Sequence, residues 1–138
     1  MLRLNHYLPL ILIALGAATG AWLRFGLSLW LNPVFPTVPL GTLASNLIGG
    51  FLMGVMMDLI EKNSFISIQP EMRLGIVTGF LGGLTTFSTF SGETVSLFAE
   101  GEYLWGGILI LSHLIGSLGM TLFGMMAFNW ILSYSSPL

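Results

Sequence analysis

The sequence predicts an all-α membrane protein of four transmembrane helices, with the third helix broken near its centre. Three observations lead there. Of 138 residues, 54% are hydrophobic and only 7% are charged, where a soluble domain would carry roughly 25% charged residues. Mean hydropathy is +0.89. Apolar stretches long enough to cross a bilayer, which takes about 20 residues per helix, recur four times. The length suits a single domain over residues 1–138.

The first span covers residues 8–31. Arg3 precedes it, as in a secretory signal, but no small-residue cleavage site followed by polar sequence comes after the apolar run. A retained first helix is therefore expected. Asn32-Pro33, Pro36 and Pro39 punctuate a short loop, and the second span covers residues 41–60. Residues 61–73 are the most polar stretch, with Lys62, Asn63, Gln69, Pro70 and Glu71. A loop with some surface helix is expected there. The third span covers 74–98, Glu100-Gly101-Glu102 marks a turn, and the fourth span covers 103–132 before a Ser-Ser-Pro tail. There is no internal repeat.

Four spans put both termini on one side, with Arg3, Lys62 and Arg73. Arg24 lies towards the other side. This positive-charge bias favours cytoplasmic termini only weakly. So weak a bias permits insertion in both orientations, and with it an antiparallel homodimer. The 18 glycines fall repeatedly four apart, as in Gly16 and Gly20, Gly50 and Gly54, and Gly75, Gly79 and Gly83. In lipid this spacing lets helix backbones approach closely. Packing within a subunit and packing between subunits both fit it.

The composition excludes several functions. There is no basic patch for nucleic acid. Cys is absent, so disulfides and thiolate chemistry are excluded. No nucleophile–base or metal-ligand constellation points to an enzyme.

The run Gly82-Gly83-Leu84-Thr85-Thr86-Phe87-Ser88-Thr89-Phe90-Ser91 is unusual for the middle of a span. Each Gly weakens a helix by about 1 kcal/mol relative to Ala, and Thr and Ser hydroxyls compete for backbone groups. A break near Gly82–Thr86 is expected, with a continuous Gly-rich packing helix as the alternative. Non-helical backbone at that depth must be buried in protein or line a watery cavity. Freed carbonyls there could bind a small cation.

Phe87 and Phe90 share a helix face, beside the hydroxyls of Ser88, Thr89 and Ser91. Ring edges are electropositive, so an anion can rest against them; plain packing is the alternative. Asn46, in the second span, offers two N–H donors, to a pore or to a neighbouring helix. In the fourth span, Ser112, His113, Ser117 and Thr121 add polar groups. No second His or carboxylate lies at ligand spacing, so a packed, neutral His113 is preferred over a metal ligand or proton relay. Arg24 snorkels to the interface or draws anions into a vestibule. Glu93 lies at a helix end or carries protons. The polar inventory is mostly donors, which suits a small anion better than a cation. Fluoride, compact and strongly hydrated, is compatible with it.

Four motifs resemble a known family. They are Gly20-Ala21-Trp22-Leu23-Arg24, then Gly41-Thr42-Leu43 with Asn46, then the run from Gly82 to Ser91 with Glu93, and finally Gly116-Ser117-Leu118 with Met120-Thr121. Together they resemble the bacterial fluoride channels of the Fluc (CrcB) family over roughly residues 10–130, with no departure at the motif positions. The resemblance implies a fluoride-selective channel in the bacterial inner membrane, exporting fluoride from the cytoplasm to relieve toxicity. It implies an antiparallel, dual-topology homodimer with two pores. It places Asn46, Phe87 and Phe90 in the pore, with Ser88, Thr89, Ser91 and Ser117 as further polar lining. It implies a structural sodium ion, not transported, on the backbone carbonyls of Gly82 and Thr85. Arg24 matches a vestibule arginine and Glu93 a polar-track carboxylate. Two rival readings fit less well. A proton-coupled antiporter wants a Glu deep in the first helix, and none is there. An accessory subunit leaves the donor-rich third helix unexplained.

Overall fold

The structure is a computed structural model and describes residues 4–62 and 68–135. Arg3, Asn63 and the end of the tail lie outside the described residues. Helix α1 (Leu4–Leu31) leads into one turn of 3-10 helix, Asn32–Val34. Pro33 suits such a first turn, because its fixed φ is helical and it needs no partner for an N–H. The Asn32 side chain then turns the corner, accepting the N–H of Gly41 at 2.8 Å. That N–H lies in the first turn of α2 (Leu40–Lys62), where no helical carbonyl can reach it.

The third span is two helices. Helix α3 (residues 70–84) is α-helical at Pro70–Arg73, π-helical at Leu74–Leu81 and α-helical again at Gly82–Leu84. Helix α4 follows (Phe87–Ala99). It ends on Gly101, whose φ is 80°. The Glu102 N–H reaches the Leu97 carbonyl at 2.8 Å and the Gly101 N–H reaches that of Phe98 at 3.1 Å. This is a Schellman closure, and glycine enters its left-handed position without a Cβ penalty. Helix α5 (Tyr103–Ser135) completes the chain. Tyr7–Val34, Leu40–Ile60, Pro70–Ala99 and Tyr103–Tyr134 are long and apolar enough to cross a membrane.

α1 packs chiefly against α3, and α2 against α5. Glycines close both seams. A Cβ on Gly16 would run into the Gly75 carbonyl, and one on Gly20 into that of Phe80. Gly54 and Gly124 stand in the same relation to the carbonyls of Thr121 and Phe51, across the α2–α5 seam. At these positions the four-residue spacing serves packing within one chain. α4 is seated differently, through an apolar cluster of Val38, Phe90, Leu97 and Leu109.

The interruption falls at Thr85 and Thr86, and Gly82 and Gly83 remain helical. The two glycines do not act as breakers. Gly83 is there because α1 comes close, and a Cβ on it would overlap the Ala17 carbonyl.

Candidate functional site

Thr85 (φ −81°, ψ 154°) and Thr86 (φ −153°, ψ 121°) are extended. Inside a bilayer, each backbone group left unpaired by such a break costs several kcal/mol. Asn46 supplies the partners. The Thr86 N–H donates to Asn46 Oδ1 at 2.8 Å, and Asn46 Nδ2 donates to the Thr86 carbonyl at 3.0 Å. The side-chain amide thus pairs with the peptide much as a neighbouring strand would. The α2 surface admits the break because a Cβ on Gly49 would collide with the Thr85 methyl. Asn46 and Gly49 are three apart and share a face.

Four carbonyls, those of Gly82, Gly83, Leu84 and Thr85, lose their helical donors at the break. A continuous helix would send the Thr86 N–H to the Gly82 carbonyl and the Thr89 N–H to the Thr85 carbonyl. The first is engaged by Asn46. The second donates at 3.2 Å to Thr86 Oγ1, which caps α4. Gly82 and Thr85 are therefore left with carbonyls facing no helical donor. Neutral oxygen donors at a helix break suit a hard cation.

Beside the break lies an open-sided cavity of about 480 Å³. Asn46, Gly82, Thr85, Phe87, Phe90, His113 and Ser117 are on its walls, and none of its lining residues is charged. Phe87 is 73% exposed and Phe90 only 7%. Their ring centroids are 5.5 Å apart at 64°, edge towards face. Phe90 also stacks on His113, with centroids 4.5 Å apart at 25°.

A second cavity, of about 490 Å³, is bordered by Thr37, Glu93, Ser96, Glu100 and Glu102. Glu93 Oε1 accepts a 2.6 Å hydrogen bond from Thr42 Oγ1. Its Oε2 is buried with no hydrogen-bond partner among the described residues. Thr42 is one turn before Asn46 on α2, and Glu93 is three residues after Phe90 on α4. Phe90 on the first cavity and Glu93 on the second therefore lie about one helical turn apart on α4.

Several expected residues lie elsewhere within the chain. Ser88 and Thr89 sit at the start of α4, with Thr86 Oγ1 donating to Thr89 Oγ1 at 3.0 Å. The Ser91 hydroxyl donates back to the Phe87 carbonyl at 2.8 Å. Arg24 is half-buried on α1 and borders neither cavity. Sequence reasoning missed the roles of Thr42 and the Thr86 peptide, and it missed Asp58, which is wholly buried. Thr42 could have been found from its spacing, since it lies one turn from Asn46 on the same face. Asp58 could have been found as a carboxylate inside an apolar span.

Fold and site define a multi-pass membrane protein whose polar groups gather at one interrupted helix. Residues 11–125 match the family described as CrcB-like protein, Camphor Resistance (CrcB), and the chain belongs to that family. It is similar to a protein of Nitrosospira multiformis, 56% identical over 86% of this chain and 91% of the relative. A protein of Pseudomonas putida is 52% identical over 88% and 94%. One of Pseudomonas syringae pv. maculicola is 48% identical over the same shares. All three relatives are called fluoride-specific ion channel FluC.

Proposed function

We propose that this chain is a fluoride-selective channel of the bacterial inner membrane, carrying fluoride passively out of the cytoplasm and relieving its toxicity. The observation that carries this reading is the uncharged cavity at the break, where two phenyl rings stand beside an amide, an imidazole and the Ser117 hydroxyl. Ring edges, an imidazole N–H and a hydroxyl can replace the water around a small anion. With no Lys or Arg on the walls, nothing there would hold an anion too tightly to leave. The names of the relatives support the choice of fluoride.

The channel is proposed to work as an antiparallel homodimer in lipid. The open side of the cavity and the exposure of Phe87 are what a second copy would cover. Ser88, Thr89 and Ser91 would join the lining only across that boundary. An in-plane two-fold axis would bring two identical breaks together at the midplane. A tag on the C-terminus should then be labelled about equally from each side of the membrane in intact cells. Labelling from one side alone would exclude the antiparallel arrangement.

The carbonyls of Gly82 and Thr85 are proposed to hold a structural sodium ion. Bound there, it would supply a fixed positive charge near the anion path. Liposomes holding the purified protein should release fluoride and retain chloride. Replacing all sodium with a bulky organic cation should lower the fluoride rate, and no sodium should accompany the fluoride. Equal fluoride and chloride release would overturn the channel reading. An unchanged rate without sodium would remove the cation site alone.

A further inference from the structure

The Asn46 amide has no donor left over. It has two N–H groups. One is held by the Thr86 carbonyl and the other by His113 Nδ1, at 3.0 Å. Its orientation is not a free choice, because the Thr86 N–H requires an oxygen opposite it and the Thr86 carbonyl requires a nitrogen. Nδ2 therefore faces His113, and His113 Nδ1 can only accept. A neutral imidazole that accepts at one nitrogen carries its proton on the other. The proton is on Nε2.

That Nε2 is the unexplained group of the site. His113 is 3% exposed, lies on the wall of the cavity, and its Nε2 is enclosed with no hydrogen-bond partner among the described residues. A buried donor without an acceptor is costly to keep. Such a group in a native site calls for an occupant. The occupant must accept a hydrogen bond, and an anion does so more strongly than a neutral group.

Building on the channel reading, we propose that Asn46 is a positioning residue and that His113 Nε2–H is the donor offered to the anion. The amide does two things at once. It takes the Thr86 N–H away from the Gly82 carbonyl, and it fixes the imidazole in the tautomer that points a proton outward. The Phe90 ring stacked on the imidazole holds the plane in which Nε2–H points. One side chain on α2 thereby links the cation-facing carbonyls to the anion-facing donor.

The test is nuclear magnetic resonance of protein labelled with ¹⁵N in its His and Asn side chains, in detergent micelles at neutral pH. The chain has two histidines, and His113→Gln assigns the signals. The expected pattern is protonated Nε2 and unprotonated Nδ1. Sodium fluoride should move the His113 Nε2–H signal, sodium chloride at the same concentration should not, and the Asn46 side-chain N–H signals should stay in place. Asn46→Asp puts an acceptor opposite Nδ1. It should move the proton to Nδ1 and cut fluoride efflux about tenfold or more, the factor that about 1.4 kcal/mol on a barrier produces. His113→Leu should lose flux similarly, and His113→Gln, which keeps an N–H, should recover much of it. A proton on Nδ1 in the native protein would overturn the proposal. So would fluoride moving Asn46 Nδ2–H, or neither group. Liposomes that pass no fluoride through the native protein would overturn the channel reading, while the tautomer measurement, which needs no flux, still decides the role of Asn46.

Discussion

Phe87→Ile and Phe90→Ile are each expected to cut fluoride efflux roughly tenfold or more, since each 1.4 kcal/mol or so added to a barrier is a factor of ten. Isoleucine keeps apolar bulk and removes the ring quadrupole. The positive edge that can face an anion is then lost. Phe87 gives the cleaner result. It is 73% exposed within the chain, so its loss leaves the interior of the protomer untouched. Phe90 belongs to the cluster with Val38, Leu97 and Leu109, and its replacement also leaves a void whose cost depends on how far the neighbours relax. Thermal unfolding separates the two effects: Phe87→Ile should unfold near the native temperature, and Phe90→Ile below it. Liposome efflux measured on the folded fractions is the deciding experiment. Normal flux through both variants would reduce the rings to packing.

Gly20→Ala and Gly26→Ala should act in opposite directions, although both change a glycine of α1. At Gly20 the new methyl would meet the Phe80 carbonyl and lie 2.7 Å from the Leu84 N. Both are backbone atoms and cannot swing aside. Overpacking of this kind costs about 1–3 kcal/mol, and α1 must lift from α3 to relieve it. At Gly26 nothing lies within 4 Å, so the variant should gain up to about 1 kcal/mol from the better helix propensity of Ala. Thermal unfolding of both proteins in the same detergent makes the comparison. If Gly20→Ala is as stable as Gly26→Ala, the α1–α3 seam is not held by close backbone contact.

The four apolar spans were legible because a bilayer demands about 20 apolar residues in a row, and composition alone reveals that. The break was legible in kind and in place, since Thr85 and Thr86 lie within the expected Gly82–Thr86, but its cause was misjudged. Gly82 and Gly83 look like helix breakers on propensity. At Gly83 the reason for glycine is a neighbour on α1, more than 60 residues away, and a single sequence does not display that proximity. The π-helical turns at Leu74–Leu81 left no signal in a run that reads as ordinary apolar helix. Asn46 stood out as an amide among apolar residues, but its partners did not. They come from the break in the third span and from α5, 40 and 67 residues away in the chain. The hydroxyls at Ser88, Thr89 and Ser91 were visible as polar groups. What each one bonds to depends on the local geometry of the α4 start and its first turns.

The pairing of Asn46 with the Thr86 peptide also constrains the order of assembly. The third span on its own, in hydrocarbon, has no partner for the Thr86 N–H and carbonyl. An unbroken helix satisfies both within the segment and is the cheaper state while the span is alone. The interruption becomes favourable only once α2 is alongside and offers its amide. The break is thus a product of helix association rather than of insertion. The residues around the break are brought into place at the last stage, when two already inserted helices meet.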